Sequence, residues 1–219
     1  MKKIKEYQNL YDLYRQSTRG IKIAFWVSLC LFLIGFPSII WDVPFLLVML
    51  LILMGIPAII CGITVLVMRI RAKKSLSRFS DVELAEIDRE IPLCEVQEGI
   101  MVTRHAVVLT KGGLRLCPVR NVLWIYRDVF VQKWMFIPIY KQTILTICGK
   151  DRKRYTYKVK NKTYAEGFLR SELSKYRMDI IYGYDRGLEP LFKKDIQRLI
   201  AIAENYGRRM ESAQNETYR

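Results

Sequence analysis

Charge is absent from two runs of this chain, residues 23–41 and 43–68. A helix needs about 20 apolar residues to cross roughly 30 Å of hydrocarbon, and each run is long enough. They are separated by WDVP, where Asp42 is the one charged residue. A single helix through this point would be about twice as long as one bilayer needs. Pro44 has no N–H to donate and pushes Val43 out of helical geometry. An unpaired carboxylate at mid-membrane costs roughly 3 kcal/mol, whereas at the surface it costs little and Trp41 is a natural interfacial anchor. The pattern therefore predicts two antiparallel spans, 23–41 and 45–68, joined by a tight turn. Two buried helices of a soluble core would need a larger surrounding protein. A signal peptide would have a shorter apolar stretch of about 7–15 residues. Gly35, Pro37, Gly55 and Pro57 suggest kinks or close helix contact, and a substrate site at a broken helix would want more polar partners than the spans offer.

Upstream, residues 1–22 read as an amphipathic helix, with Ile4, Tyr7, Tyr11 and Tyr14 recurring at three- and four-residue steps. Such a helix lies either on the membrane surface or against the rest of the protein. Downstream, 69–99 is a basic and then acidic helical linker. Ser80 and Glu83 have capping-box spacing, which predicts a helix over 81–91 stopped at Pro92. From about residue 100 the period changes to two. Strands are predicted over 101–110, 114–118, 122–126, 129–136, 142–148 and 155–159. Gly112 and Gly113 supply one hairpin turn, and CGKDRKRY a longer one. In the last strand Tyr155, Tyr157 and Val159 share one face, and Arg154, Thr156 and Lys158 the other. A helix follows, with Thr163 and Glu166 again at capping-box spacing, then a short strand at DIIYGYD. A final helix covers 188–208, and 207–219 is expected to be a disordered tail. The fold class is thus a membrane protein with an α+β domain: a transmembrane hairpin followed by a mostly antiparallel β domain, 100–206, closed by C-terminal helices. Residues from about Ser77 onward are expected to fold without the spans.

The charge balance orients the hairpin. Of 219 residues, 36 are Lys or Arg and 21 Asp or Glu, giving +15. Arg15, Arg19 and Lys22 precede the first span; Arg69, Arg71, Lys73, Lys74 and Arg78 follow the second. Positive flanks stay cytoplasmic, so both termini are expected inside and the turn outside, in a two-span cell-membrane protein. Nucleic acid is the other partner of a basic chain, but no helix-turn-helix, zinc-finger or aromatic RNA-binding signature is present, and none is expected to bind.

At VLTKGGLRLCPVRNVLWIYRD the chain resembles uncharacterised bacterial, Firmicutes-type membrane proteins. These have a two-helix anchor and a cytoplasmic pleckstrin-homology-like barrel. Val122, Trp124 and Tyr126 carry an I-x-W-x-Y-like stretch, and IIYGYD at 180–185 is similar too. The chain departs from a simple pleckstrin-homology barrel, which ends in one helix, because here a helix, a strand and a second helix follow. The resemblance implies membrane-proximal binding or scaffolding and does not imply catalysis.

Candidate chemistry changes little in this picture. Cys30 and Cys61 fall in the spans; Cys94, Cys117 and Cys148 do not form a CxxC pair, and His105 is the single histidine. There is no GxSxG, phosphate-binding glycine loop or HExxH. No enzyme activity, cofactor or metal is expected. The carboxylates of 81–98 read as a solvated acidic face. The candidate contact surface is the basic turn and strand of Lys150, Arg152, Lys153, Arg154, Lys158 and Lys160. Each cation near an anionic surface contributes about 1 kcal/mol. The expected function is a non-enzymatic membrane-anchored binding or scaffold module. Its partners are the bilayer, and either anionic lipid headgroups or another membrane or cytoplasmic protein. A small oligomeric transporter or channel component, or an accessory subunit, is the alternative, but Ser28, Ser38 and Thr64 are the few polar residues in the spans.

Overall fold

A computed structural model describes residues 8–35, 45–134, 137–160 and 164–217. The WDVP turn, Ile4, Tyr7 and the Thr163 cap lie outside the described residues. The chain is α+β, with helices and antiparallel sheets. The N-terminal amphipathic segment and the first apolar run form one continuous helix, α1 (Gln8–Gly35), and α2 spans Phe45–Leu76. The two pack antiparallel. The Phe25 ring lies 3.2 Å from where a Cβ on Gly62 would stand, while nearer the other end Leu10 and Ala72 share a buried cluster. One stretch of α2, Gly55–Leu76, is long and apolar enough to cross a membrane by length and composition, and only 17% of its apolar window is buried in the protein.

Helix α3 (Asp81–Glu90) begins where the capping box places it. Glu83 N–H donates to Ser80 Oγ (3.3 Å), and Ser80 N–H donates to Glu83 Oε2 (2.8 Å). A 3₁₀ turn, Ile91–Leu93, follows at Pro92. Strands β1 (Ile100–Val102), β2 (Ala106–Leu109) and β3 (Arg115–Pro118) form one antiparallel sheet. The expected single strand over 101–110 is two. Thr103 closes a tight turn, its hydroxyl accepting from Ala106 N–H at 3.0 Å. A second sheet has the order β6-β5-β4-β7, with β4 Val122–Trp134, β5 Ile137–Gly149, β6 Arg154–Val159 and β7 Ile181–Tyr182. Here the two strands expected over 122–126 and 129–136 are one, as far as the described Trp134. β7 pairs with β4 in parallel, the exception to an otherwise antiparallel ladder.

Helix α4 (Tyr164–Ser174) precedes β7. The expected helix over 188–208 is broken into α5 (Leu188–Lys194) and α6 (Ile196–Thr217). At the break, Asp195 Oδ1 accepts from Arg198 N–H (3.1 Å), capping the start of α6. The tail expected to be disordered from 207 is helical to Thr217, because its residues, apart from Gly207, are tolerated or favoured in helices. Gly207 lets α6 approach the chain at Asp179, whose Cα lies 3.0 Å from where a Cβ would stand.

The layers are helix, sheet, sheet, helix. Val107, Leu109, Ile125, Leu145, Ile147, Tyr157, Leu169 and Ile180 fill the space between the sheets and α4. The opposite face of the first sheet, Met101, Ala106, Val108, Leu114 and Leu116, packs on α3 and on Leu10, Tyr14 and Ala72 of the helix pair. All four residues of β2 are therefore buried, as happens when both faces of a strand are covered. The outer face of the second sheet, Leu123, Trp124, Tyr126 and Cys148, is covered by Phe192, Ile196, Leu199 and Ala203.

This packing weighs against the expectation that residues from Ser77 onward fold alone. Leu10 and Tyr14 complete the core of the first sheet. Leu10 N–H donates to Asp88 Oδ1 and Asn9 Nδ2 to Asp88 O, both at 2.8 Å. The start of α1 is thus fixed to the domain, which decides between the two placements open to it.

Candidate functional site

The six candidate cations lie on the turn after β5 and along β6. β6 alternates as its sequence predicts, with Tyr155, Tyr157 and Val159 buried and Arg154, Thr156 and Lys158 exposed. Arg152 adopts a positive φ of 58° in the turn, and Gly149 N–H donates to Lys153 O at 2.8 Å. Three cations are paired. Lys150 Nζ lies 3.8 Å from Asp179, Lys153 Nζ 2.8 Å from Asp151, and Arg154 Nη2 2.7 Å from Glu189. Arg154 also lies 4.9 Å from the centre of the Phe192 ring. The hydrogen bond from Arg154 holds the Glu189 carboxyl below its usual range, against the effect of burial. The side chains of Arg152, Lys158 and Lys160 make no ion pair among the described residues. The turn and the far end of β6 are also at different heights. Arg78, at the foot of α2, lies over the Tyr155 ring and 3.9 Å from Asp151, whereas Lys160 N–H donates to Glu98 Oε2 at 2.7 Å.

The pairing with Asp179 belongs to a structural bolt that sequence reasoning missed. Arg177 donates to Asp179 through Nε (2.7 Å) and Nη2, and its Nη1 donates to the carbonyls of Val119 (2.6 Å) and Val122 (2.9 Å). One guanidinium thus ties the segment after α4 to the connection between the two sheets. Burial alone would raise the Asp179 carboxyl; the hydrogen bonds and charge of Arg177, with Lys150, outweigh it and hold the group low. The only signal in the sequence was an R-x-D spacing, too common to single out.

The two motifs that carried the resemblance meet. Trp124 Nε1–H donates to Gly183 O at 2.7 Å, and Tyr126 and Tyr184 pack with the Trp124 ring. Trp124 is fully buried, so the pair fastens the β7 segment to the sheet. A cleft of about 620 Å³ opens between α1 and the first sheet, lined by Leu13, Ser17, Pro92, Val96, Met101 and Thr110. Another, of about 510 Å³, is lined by charges of both signs, including Arg177, Asp179, Glu204 and Arg208.

Burial pushes the Cys117 thiol up and the Cys148 thiol up to about 12, so neither supplies thiolate at neutral pH. Cys94 Sγ–H donates to Val102 O at 3.1 Å. His105 pairs with Glu86 of α3 through Nε2 and ties that helix to the sheet. Among the described residues no group of three or more His, Cys, Asp or Glu could hold a metal ion. No protein-family model, curated protein or solved structure matches the chain.

Proposed function

We propose that this chain is a non-enzymatic, membrane-anchored binding module: α1 and α2 cross the bilayer as a hairpin and carry a pleckstrin-homology-like domain on the cytoplasmic side. The observation that carries this reading is a ring of apolar side chains that no described residue covers. Ile23, Trp26, Val27 and Leu33 of α1, and Ile56, Ile59, Ile60, Ile63 and Leu66 of α2, are each more than half exposed. A water-soluble monomer rarely carries so large an apolar patch. The ring meets cationic residues at Lys22 and Arg69, Ile70 is its last exposed apolar side chain on α2, and past these Tyr14 and Ala72 are buried against the domain. That sequence of lipid-like, cationic and protein-covered levels supports both spans and a cytoplasmic domain. Two packed, mostly antiparallel sheets whose shared core is completed by α4 support the pleckstrin-homology-like reading, though β7, α5 and α6 are additions to the simple barrel.

Within the basic surface, the ion pairs of Lys150, Lys153 and Arg154 reduce what those groups offer a ligand. Arg152, Lys158 and Lys160 are the cations left to meet an anionic headgroup or an acidic protein. A photoactivatable residue at Lys158, in the full chain in its native membrane, distinguishes these: an adduct with the mass of an anionic lipid supports the first, a discrete protein adduct the second. Reaction with water alone at positions 152, 158 and 160 would remove the binding role.

A further inference from the structure

The β4–β5 hairpin runs beyond the sheet that contains it. The β6 ladder stops at Thr143↔Val159, and that of β7 at Ile125↔Tyr182. Past these points, among the described residues, β4 and β5 pair only with each other, from Phe130↔Gln142 to Trp134↔Ile137. Among the described residues, both edges of this two-stranded arm are unpaired. Its side chains Val129, Phe130 and Val131 are exposed, Phe130 by 53%. Residues 129–141, VFVQKWMFIPIYK, contain no acid, and their two charges are lysines. Left in water, such an arm is a template for aggregation.

Its direction is fixed by contacts with α2. Arg78 lies over Tyr155. Ten residues before Arg78, and within α2, Met68 lies 3.1 Å from where a Cβ on Gly113 would stand, and nearby Lys111 N–H donates to Tyr157 Oη (3.3 Å). β6 therefore climbs α2 from Arg78 towards Met68. β4 runs the same way as β6, since both are antiparallel to β5. From Val129 to Trp134 the strand gains about 17 Å at ~3.3 Å per residue. On α2 that rise takes about 11 residues at ~1.5 Å each, which leads from Met68 back into the exposed apolar stretch of Ile56, Ile59 and Ile63.

We infer that the β4–β5 arm docks into the interfacial layer of the same bilayer leaflet that α1 and α2 enter, as a second membrane contact beside the helix pair. This rests on the membrane reading above. Aromatic residues favour the headgroup level, and lysines at 133 and 141 suit anionic phosphates there. The open edges set the depth: unpaired N–H and C=O groups need water, so the arm stops short of the hydrocarbon centre. Orientation follows, because an arm in the leaflet prevents the domain from swinging about the foot of the helices.

The test uses the full chain in nanodiscs. Phe130→Trp, an aromatic exchange at an exposed position, is compared with wild type, so the difference spectrum reports residue 130 alone. Wild type against Trp26→Phe reports the helix pair. Lipids brominated near the carbonyl end of the acyl chain should remove most of the fluorescence at 130, and lipids brominated near the chain terminus less. Quenching at Trp26 but not at 130, with 130 open to aqueous acrylamide, would overturn the arm and leave the anchor standing. Quenching at 130 by neither reagent would mean a protein partner or a second copy covers it, and also overturns the inference. Loss of bromine quenching at both positions sinks the membrane reading itself.

Discussion

Leu10→Ala tests whether the helix pair and the domain form one folded unit. Leu10 is fully buried between α3 and the first sheet, at the start of a helix that on its apolar pattern alone belongs to a membrane anchor. Truncation removes most of the burial energy of a leucine and leaves a cavity that the fixed start of α1, held by Asp88, cannot collapse to fill. Large-to-small changes of this kind cost about 2–5 kcal/mol; for a site at a helix end about 3 kcal/mol is the expectation. For a chain of this size each kcal/mol lowers the midpoint by ~2–4 °C, so the thermal midpoint of the detergent-solubilised protein should fall by about 6–12 °C. Near-ultraviolet circular dichroism reads the melt, and amide exchange at Met101 and Val108 should quicken. The control is Ile23→Ala on the exposed belt, expected within about 0.5 kcal/mol of wild type. A shift below about 2 °C for Leu10→Ala would refute the reasoning and return the N-terminal helix to the membrane surface.

The fragment 77–219 should bind a hydrophobic dye or aggregate, since Met101, Val108, Leu114 and Leu116 lose their cover; a monodisperse, cooperatively melting fragment would contradict this. Arg177→Met should cost about 2–3 kcal/mol, because it strands Asp179 and two carbonyls. The folded Asp179 carboxyl is held low, so its contribution is complete above the unfolded value near ~4 and is lost as pH falls through the folded one. The gap between wild type and variant should be full at neutral pH and close below about pH 4; a gap that widens on acidification would show the sign to be wrong.

Much of the fold was legible because single signals dominate. The capping box set the start of α3, alternation sorted the faces of β6, and the uncharged runs marked the apolar helices. The misreadings have particular causes. The β1–β2 turn uses Thr103 and contains neither glycine nor proline. Arg127 and Asp128 fell between the two expected strands, yet the strand passes through them: both pair with β5, and Arg127 meets Glu166 of α4 at 3.6 Å, an acid that only the tertiary fold brings near. Asp195 caps a new helix, which inside KKDIQR reads as one more surface charge. For the site, alternation told which cations face outward, but their acids come from elsewhere: Glu189 lies 35 residues from Arg154, and Asp179 is held by Arg177. Only tertiary packing brings these together.

The most direct test of the anchored, two-span account is a reporter enzyme active only outside the cytoplasm. Fused after Arg219 it should be silent, and inserted between Asp42 and Val43 it should be active, with both fusions in the membrane fraction. The reverse pattern, or a chain recovered in the soluble fraction, would contradict the account.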